Sequence, residues 1–422
     1  MNKLQNLVLK LEKHHKRKID LTLDRTFNLL KKLGNPQDKL QNVVNIVGTN
    51  AKASMAYGLK SILNKAGYKC NLYTSPHLQS FTERFIFNDE EIKEDELIEI
   101  LIAVEKVLGN DNASLFEILT CAFFKYAEKF KDNINIIEAG LFYQFDSTNV
   151  FKKNLMTLIG VIHTDHLQWL KNKTIDGIIF EKTSKLLNSN IFINKQINEE
   201  IRAKIEKSLI KNSSNKYFFG KDFNILKSEN NFIHYQDEFG EIILPEPNIL
   251  GDHQLYNIST SIAASRKMFA VKDEHIKKGI VNIQLKGRLQ ELHSGKLKNI
   301  IGNNRLILDG GHNESASISI SNWIKQQNQD VHLICGMMKD KEHKEFIKHF
   351  KDIVKSITLI DVPNQEGSIP KEEFKEKLND INMSINLSSS IEDAIKLNSK
   401  HQNSICLFAG SLYMVGEVLN LN

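Results

Sequence analysis

The segment from Gly48 to Ser54, GTNAKAS, has the residue types of a phosphate-binding loop. It lies between an apolar run and a helical pattern, where small residues let backbone N–H groups approach phosphate oxygens at a helix N-terminus. Lys52 is then expected to contact the terminal phosphates of a nucleotide, and Ser54 to lie near a magnesium ion. The alternative is a plain strand–turn–helix connection with a surface lysine, because Ala51 stands where such loops usually have glycine.

Glu138 and His166 are candidate ligands for a divalent cation. Glu138 ends one predicted strand and His166 follows another, and parallel sheets bind ligands at the carboxyl ends of their strands. Mg²⁺ prefers oxygen ligands and keeps several waters, so a carboxylate with hydroxyl groups and one imidazole suits it. The alternatives are a capping or salt-bridged carboxylate and a loop histidine engaged within the fold. His163 and Asp165 beside His166 also allow a transition-metal cluster, which the sequence favours least.

The elements that position these residues alternate between strand and helix. Apolar runs predict strands, and stretches with helical periodicity predict the helices between them. The predicted strands are 43–47, 135–139, 155–162 and 190–194, and the predicted helices are 54–66 and 115–129. This alternation predicts an α/β fold with a largely parallel sheet. Between residues 216 and 245, the runs Tyr217–Gly220, Phe232–Tyr235 and Ile242–Leu244 predict a short antiparallel meander.

After Gly287 and Arg288 the strand–helix alternation starts again. The predicted strands of this part are 305–309, 331–335, 356–361 and 404–409, with a helix over 342–350. We therefore predict a larger N-terminal α/β domain over residues 1–287 and a Rossmann-like α/β domain over residues 288–422.

Composition excludes several classes of protein. The 422 residues are 41% hydrophobic and 25% charged, so the chain is neither disordered nor membrane-spanning, and no stretch of about 18 apolar residues occurs. The net charge is +5, and only seven of the 56 basic residues are arginine. A protein that reads bases or clamps nucleic-acid phosphates would be expected to use more arginine. We expect no nucleic-acid partner and no membrane partner.

The four cysteines lie far apart in apolar settings and lack metal-ligand spacing. They are Cys70, Cys121, Cys335 and Cys406. This pattern predicts free, buried thiols in a reducing compartment. The N-terminal segment carries charges throughout and has no apolar core typical of a signal peptide. The expected location is the cytoplasm.

Ten short blocks together resemble the folylpolyglutamate synthase/dihydrofolate synthase family of the Mur ligase superfamily. In chain order they are GTNAKAS (48–54), YTSPHL (73–78), LFEILT (115–120), EAGLFYQFDSTN (138–149), HTDH (163–166), EKTS (181–184), DHQLYN (252–257), GRL (287–289), DGGHN (309–313) and GSLY (410–413). Ten blocks in the family's order are far more specific than any one motif. The resemblance implies a Mur-ligase-type P-loop ATPase domain, with a parallel-rich sheet and a small meander, followed by the Rossmann-like domain.

The resemblance also implies the site residues. Magnesium would be held by Ser75, Glu138 and His166, and the ATP-binding residues would be Asn50, Ala51, Lys52, Ala53, Ser54, Asn257, Arg288 and Asp309. The folate-type acceptor would contact Ser114, Leu115, Phe116, Glu117, Phe145, Asp146 and Ser147, whereas His312 and Ser411 would position glutamate. The residues implied to act in catalysis are Lys52, His166, Lys182 and Arg288. Arg288 is expected to reach the γ-phosphate when the two domains close, although an interdomain salt bridge is its alternative role.

Lys182 is expected at the start of a helix. The resemblance implies that this lysine is carbamylated by CO₂ and holds a second magnesium ion. Carbamylation requires a neutral amine, and partial burial lowers a lysine pKa in that direction. The alternative is a solvated lysine on a helix face.

The implied activity is ATP-dependent formation of an amide between L-glutamate and a folate-type carboxylate. The carboxylate of dihydropteroate or a reduced folate would attack the γ-phosphate to give an acyl phosphate, which the amine of glutamate then attacks. The cofactors would be ATP and two Mg²⁺ ions, K⁺ is allowed as an addition, and a monomer is expected. Two other functions stay open: a Mur-type ligase for a different acid, and a nucleotide-binding regulatory paralogue without ligase activity.

Three departures from the family's pattern bear on these alternatives. Ala51 and Ala53 replace glycines, and a Cβ at a position with positive φ costs about 1 kcal/mol. Phe142-Tyr143-Gln144 replaces Gly-Gly-Arg beside the implied acceptor pocket, which bears on substrate identity. Thr183-Ser184 replaces Ala-Gly next to Lys182. The implied metal and catalytic positions are all retained.

Overall fold

The chain folds into two compact units, which are described here separately. The computed structural model describes residues 3–15, 22–227 and 232–422. The first unit takes the described residues up to Pro76, Phe81–Asn248 and Leu255–Ile283, and the second takes His77–Ser80, Ile249–Gln254 and Gln284–Asn422.

The elements up to Ile280 build the first unit, except that the opening residues of α8 belong to the second. The helices are α1 Lys3–His14, α2 Asp24–Lys32, α3 Lys52–Lys65, α4 Glu94–Leu108, α5 Leu115–Ala127, α6 Ile175–Thr183, α7 Glu199–Ser208, α8 Asp252–Met268 and α9 Asp273–Ile280. The strands are β1 Val43–Val47, β2 Cys70–Tyr73, β3 Phe85–Phe87, β4 Glu90–Glu91, β5 Ile134–Glu138, β6 Met156–Ile159, β7 Asn190–Ile193, β8 Asn215–Phe218, β9 Phe223–Lys227, β10 Ile233–Asp237 and β11 Gly240–Leu244.

Eight of these strands form one sheet, in the order β4-β3-β2-β5-β1-β6-β7-β8. The six strands from β2 to β8 in this order are parallel, and β3 and β4 extend the sheet in the antiparallel sense. Every residue of β1 and β5 is buried, as expected for central strands covered by helices on both faces. The carboxyl ends of β5, β1 and β6 therefore lie side by side.

The antiparallel meander exists, but its first strand was predicted wrongly. The run Tyr217–Gly220 does not belong to it, because β8 pairs in parallel with β7 and the rings of Phe192 and Tyr217 stack at 4.8 Å. The meander instead consists of β9, β10 and β11. Its first strand follows the positive-φ turn at Gly220, and that turn separates β8 from β9.

The second unit is a six-stranded, parallel-rich sheet with helices. Its elements are β12 Gln290–Leu292, α10 Lys296–Ile301, β13 Arg305–Leu308, α11 Glu314–Lys325, β14 Asp330–Cys335, α12 His343–Ile347, β15 Ser356–Leu359, α13 Lys371–Lys377, β16 Ile385–Leu387, α14 Ile391–Asn398, β17 Ser404–Ala409 and α15 Leu412–Leu421. The strand order is β12-β13-β17-β14-β15-β16, and only β12 is antiparallel.

The predicted α/β class with parallel-rich sheets is confirmed. All four predicted strands of the C-terminal part occur within one or two residues of their predicted bounds. Among the described residues, no helix combines the length and the apolar character needed to cross a bilayer.

Candidate functional site

The segment from Gly48 to Asn50 leaves the carboxyl end of β1 and is bound to the loop that follows β6. The N–H groups of Thr49 and Asn50 both donate to the carbonyl of Val161, at 2.8 and 3.1 Å. Gly160 makes this approach possible, since a Cβ there would lie 2.4 Å from the Asn50 carbonyl oxygen. The predicted strand–loop–helix arrangement of the phosphate loop is therefore present at a central position of the sheet.

Ala51 occupies the strained position of this loop. It precedes α3 with φ +74° and ψ −12°, in the left-handed region that favours glycine. Ala53 lies within the first turn of α3, where no positive φ is needed. Of the two alanines that replace glycines, only Ala51 carries the backbone cost expected from the sequence.

Lys52 and Lys182 converge on one backbone carbonyl. Lys52 Nζ lies 3.1 Å from the Gly48 oxygen and 3.2 Å from the Thr49 oxygen. Lys182 Nζ lies 3.0 Å from the same Gly48 oxygen and 2.9 Å from the Leu141 oxygen. Two lysines from different helices thus meet at the start of the phosphate loop.

Lys182 is buried, and two expectations for it were wrong. It lies in the last turn of α6 rather than at the start of a helix, and only 3% of the residue is exposed, which excludes a solvated lysine on a helix face. Burial and the neighbouring Lys52 lower the pKa of Lys182 to about 7, against the opposing effects of Asp165 and Asp146. A large share of Lys182 is consequently uncharged at neutral pH.

Glu138 lies at the end of β5, beside the residues just described. Its Oε1 is 3.9 Å from Lys52 Nζ, and its Oε2 accepts from the N–H of Ser75 at 3.3 Å. Glu138 is 3% exposed, so its carboxylate is held largely out of water next to a cation. Glu138 therefore contacts both Ser75 and Lys52, and Lys52 shares the Gly48 carbonyl with Lys182.

His166 lies in the loop after β6 and adopts a left-handed backbone with φ +57°. Its N–H donates to Asp165 Oδ1 at 2.9 Å, and its Nε2 lies 3.7 Å from the same oxygen. Asp165 also influences Lys182 electrostatically, which links the histidine to the lysine pair. Among the described residues, no three His, Cys, Asp or Glu side chains form a metal-binding cluster.

Ser114 and Glu117 have defined roles within the fold. They form a capping box at the N-terminus of α5, in which the Glu117 N–H donates to Ser114 Oγ at 3.2 Å. Glu117 also pairs with Arg25 at 3.2 Å and accepts from Thr26 at 3.3 Å. Leu115 and Phe116 follow in the first turn and are half-buried. The implied acceptor contacts of residues 114–117 stay a prediction.

Asp146 organises the loop that follows β5. Its two carboxylate oxygens accept from the N–H groups of Gly140, Leu141 and Thr148 at 2.9, 3.2 and 3.0 Å, and from the Thr148 hydroxyl. Burial raises the pKa of Asp146, although these hydrogen bonds oppose the rise. The hydrogen bonds of the Asp146 carboxylate therefore hold this loop in its conformation.

Phe116 packs directly against that loop. A Cβ at Gly140 would lie 2.6 Å from its ring, so Gly140 leaves space for the aromatic side chain. Ser147 donates to Thr120 of α5 at 2.9 Å, which joins the same two segments. Phe145 is half-buried. The helix α5 and the loop after β5 are thus joined by two contacts, one between Phe116 and Gly140 and one between Thr120 and Ser147.

The segment that departs most from the family's pattern is buried beside Lys182. Phe142 and Tyr143 are 3% and 1% exposed, and the Phe142 ring centre lies 5.5 Å from Lys182 Nζ. Ser184, itself a departure, donates to the side chain of Gln144 at 2.9 Å. The two departures near Lys182 are therefore in contact with each other.

Asn257 lies in α8 and bonds to the end of β7. Its Oδ1 accepts from Asn194 Nδ2 at 2.7 Å, and both side chains are buried. In the next positions, Lys195 Nζ lies 3.8 Å from the ring centre of Tyr256. Asn194 and Asn257 thus bond to each other directly beside the contact between Lys195 and Tyr256 in the first unit.

The second unit contains the remaining implied residues. Asp309 follows β13, and its oxygens accept from the N–H groups of Leu289 and Gly311 at 2.8 and 2.7 Å. Arg288 donates to the Gly287 carbonyl at 3.0 Å and lowers the pKa of Asp309, against the larger raising effect of burial. Arg288 and Asp309 are therefore neighbours within this unit.

His312 and Ser411 lie in adjacent loops of the second unit. They follow β13 and β17, which pair in parallel, and the N–H of Gly410 donates to the Gly311 carbonyl at 2.9 Å. His312 Nδ1 lies 3.0 Å from the Gly310 oxygen, and Ser411 caps α15. Their implied contact with glutamate stays a prediction.

Two residues near the site were missed in the sequence. Asp165 contacts His166 and raises the pKa of Lys182, against the effects of burial and Lys52. In the sequence, its position between His163 and His166 suggested only a role as a metal ligand. Thr49 contacts the backbone of His163 through its hydroxyl. Nothing in the sequence signals that contact, since it depends on how two loops meet.

Known proteins match this chain over most of its length. Residues 288–412 match the Mur ligase glutamate ligase domain. A dihydrofolate synthase/folylpolyglutamate synthase from Bacillus subtilis is 27% identical over 94% of both chains. Two solved structures share the fold. The FolC protein of Escherichia coli in complex with DHPP and ADP has a TM-score of 0.87 and 24% identity, with 99% of this chain and 97% of that chain covered. A bifunctional folylpolyglutamate synthase/dihydrofolate synthase of Yersinia pestis with AMPPNP and a Mn ion has a TM-score of 0.86 and 23% identity, with 100% of this chain and 98% of that chain covered.

The chain is similar over most of its length to proteins of the folylpolyglutamate synthase/dihydrofolate synthase family. The resemblance predicted from the ten sequence blocks is confirmed by these relatives, as is the enzyme class of an ATP-dependent ligase. The structures of family members hold nucleotides, and one holds a divalent metal ion.

Proposed function

We propose that this protein is an ATP- and Mg²⁺-dependent ligase that joins L-glutamate to a folate-type carboxylate. The observation that carries the proposal is the convergence of Lys52 and Lys182 on the Gly48 carbonyl beside the buried Glu138. These groups lie at the carboxyl edge of a parallel sheet, where α/β proteins bind ligands. The Lys52 ammonium next to a phosphate-type loop suits the binding of a polyphosphate and the stabilisation of its transferring group.

The donor set at this edge fits magnesium. A buried carboxylate from Glu138, the hydroxyl groups of Ser75 and Ser54 and the imidazole of His166 are the proposed ligands and neighbours of the first ion. Mg²⁺ is bound in enzymes by one or two carboxylates together with phosphate oxygens and waters. When bound, it would screen and orient the phosphate charges.

We further propose that Lys182 becomes carbamylated by CO₂ and holds a second magnesium ion. Its pKa near 7 supports this, because only the neutral amine reacts with CO₂. A carbamate nitrogen keeps one N–H, so at most one of the two bonds from Nζ to Gly48 and Leu141 would persist. Carbamylation therefore implies a local rearrangement at the start of the phosphate loop. The same proposal allows K⁺ as a further cation at this site.

The proposed reaction proceeds in two steps. The acceptor carboxylate attacks the γ-phosphorus of ATP, releasing ADP and forming an acyl phosphate. The amine of glutamate then attacks the acyl carbon, and the tetrahedral intermediate collapses to the amide with release of phosphate. Lys52 and Arg288 would stabilise charge on the transferring phosphoryl group, and the chain's main contribution is positioning and electrostatics.

The proposed acceptor is dihydropteroate, with reduced folates as a second class. Phe116, which packs against Gly140 in the loop after β5, is the aromatic side chain proposed to pack on a pterin ring, and Phe145 and Ser147 of the same loop are proposed to contact the acceptor as well. Asn50, Ala51, Ala53, Asn257 and Asp309 are proposed to contact the nucleotide, and His312 and Ser411 to position glutamate.

We also propose domains over residues 1–287 and 288–422 and a monomeric protein. The proposed location is the cytoplasm, which the four buried free cysteines support.

The test is release of phosphate from ATP by the purified protein. We expect release with dihydropteroate and glutamate together, and little release when either is omitted. Tetrahydrofolate replaces dihydropteroate in a parallel assay to separate the two acceptor classes, and Phe116→Ala should weaken the apparent affinity for dihydropteroate. Phosphate release that is the same with and without dihydropteroate and glutamate would contradict the proposal.

A ligase for a different acid is the second candidate. The observation that favours it is the buried Phe142-Tyr143 pair, whose Tyr143 hydroxyl has no hydrogen-bond partner among the described residues. Such a wall beside Lys182 changes the shape and charge of the site relative to the family's Gly-Gly-Arg. Glutamate-dependent phosphate release with another carboxylic acid, but with neither pterin compound, would support this candidate.

A further inference from the structure

The hydroxyl group of Thr49 is bound on both sides by the backbone of one residue. Its Oγ1 donates to the carbonyl of His163 at 2.9 Å and accepts from the N–H of His163 at 3.1 Å. A threonine hydroxyl can donate one hydrogen bond and accept others, so both contacts are chemically consistent. This pair of bonds is a clamp between the phosphate loop and the segment after β6.

The clamp extends a backbone connection that is already present. The N–H groups of Thr49 and Asn50 donate to the Val161 carbonyl, and Asn50 and Val161 form an antiparallel bridge. The two hydrogen bonds of the Thr49 hydroxyl extend this connection from Val161 to His163, two residues later in the chain. Three residues beyond His163 stands His166, the candidate metal ligand.

The segment from His163 to His166 has no helix or strand to hold its shape. His166 itself has a left-handed backbone, φ +57°, and is partly exposed. A ligand on such a segment depends on anchors near it for its position. The Thr49 hydroxyl supplies an anchor, and it does so from the loop whose Gly48 carbonyl contacts both Lys52 and Lys182.

We propose that Thr49 is a positioning residue that holds His166 in register with the phosphate loop. The inference rests on the proposed function, in that it assigns His166 to the metal site. Thr49 itself would contact neither the metal nor the substrates. Its two bonds would instead fix the loop that carries His166 relative to Lys52 and Lys182.

The experiment measures Mn²⁺ binding in the presence of a non-hydrolysable ATP analogue, which needs no turnover. Thr49→Val keeps the shape of the side chain and removes the hydroxyl, whereas Thr49→Ser keeps the hydroxyl. We expect Thr49→Val to weaken Mn²⁺ binding by about 10- to 100-fold, the usual cost of losing a group that orients a metal ligand. Thr49→Ser should retain most of the affinity, and kcat with saturating substrates should follow the same order.

A double-mutant cycle separates this role from a general effect on folding. If Thr49 acts through His166, adding Thr49→Val to His166→Ala should cause little further loss of Mn²⁺ affinity. A full additional loss would overturn the inference. Should Thr49→Val fail to fold, Thr49→Ala and Thr49→Ser form a second pair that differs only in the hydroxyl.

The outcomes distinguish this inference from the proposed function. If the wild-type protein binds no Mn²⁺ with the nucleotide analogue, the proposed function fails and this inference fails with it. If the wild-type protein binds the ion and Thr49→Val binds it equally well, only the positioning role is overturned.

Discussion

The two units place their candidate residues at the same kind of position but hold them differently. In the first unit, Lys52, Lys182 and Glu138 bring buried charges together next to a loop after a parallel strand. In the second unit, Asp309 and Ser411 also follow parallel strands, but Asp309 accepts from the N–H groups of Leu289 and Gly311, and Ser411 caps α15. Burying charge costs stability, whereas accepting backbone N–H groups supports a fold. Substitutions in the first unit should therefore affect turnover more than stability, and those in the second unit should affect stability as well.

Glu138→Gln should have the largest effect on turnover. The amide keeps the size of the side chain but removes the negative charge that would bind the metal ion. Because a bound metal supplies several kcal/mol of charge stabilisation, we expect a loss of about 10³-fold or more in kcat. Thermal unfolding should change little, and Glu128→Gln, which removes a paired glutamate at the end of α5, is the control expected to retain activity. Near-normal turnover in Glu138→Gln would place the metal ligands elsewhere.

Substitutions of Lys182 test the proposed carbamate. Lys182→Ala should be inactive, a short carboxylate such as acetate should restore part of its activity, and Lys182→Arg should fail because a guanidinium keeps its charge and cannot be carbamylated. In CO₂-depleted buffer, activity of the wild-type protein should return on adding CO₂, and at the same concentration of dissolved CO₂ it should return faster at pH 8 than at pH 6, since the pKa of Lys182 is about 7. Full activity of either variant without added carboxylate would contradict the carbamate.

The pKa of Lys182 also predicts how stability depends on pH. The unfolded chain protonates this lysine up to its usual pKa of 10.5, whereas the folded chain protonates it only below about 7. The unfolded state thus binds more protons between pH 7 and 10.5, and the free energy of unfolding should rise with pH in that window. Denaturant unfolding in CO₂-free buffer should show this rise in the wild-type protein and a smaller one in Lys182→Met. Equal slopes would mean that Lys182 is charged in the folded state.

Asp309→Asn tests the second unit. The amide retains one acceptor oxygen, so one of the bonds from Leu289 and Gly311 is lost and a buried N–H is left without its partner. The expected loss is about 1–3 kcal/mol in the free energy of unfolding, measured by denaturant titration. If Asp309→Asn lowered activity with no change in stability, the contrast between the two units would not hold.

The smallest expected effect comes from the phosphate loop's alanines. Ala51→Gly should relieve the cost of φ +74°, about 1 kcal/mol, partly offset by the greater freedom of glycine in the unfolded chain. Ala53→Gly, in the first turn of α3, has no such strain to relieve and should destabilise by about 0.5–1 kcal/mol. Opposite signs of the two changes in unfolding free energy would support the structure of the loop, and equal destabilisation would contradict it.

Much of the fold and the grouping of the site could be predicted from the sequence, because both rest on local signals. Alternating apolar runs and helical patterns indicated the sheet, and the ordered motifs indicated the residues after β1 and β5. By contrast, β2 was missed: Cys70-Asn71-Leu72-Tyr73 includes a buried asparagine, which bonds to Asn135 of the neighbouring strand at 2.9 Å. That pairing is set by strands distant in the sequence, so no local pattern reveals it.

The environment of Lys182 could be predicted only in part. Lys182 was predicted at the start of a helix, but Thr174 caps α6 and Lys182 lies in the last turn of that helix. The burial of the lysine and its contacts with Gly48 and Leu141 arise where α6 meets the loops after β1 and β5. The direction of its pKa was expected from partial burial, whereas the effect of Lys52 needed the structure.

The most direct test of the central claim follows oxygen atoms through the reaction. Dihydropteroate labelled with ¹⁸O in its carboxylate is incubated with the protein, ATP and glutamate, and the inorganic phosphate is analysed by mass spectrometry. If the carboxylate attacks the γ-phosphate to form an acyl phosphate, each amide formed should transfer one ¹⁸O to phosphate. Unlabelled phosphate, released without amide formation, would contradict the assignment of this chain as a glutamate ligase.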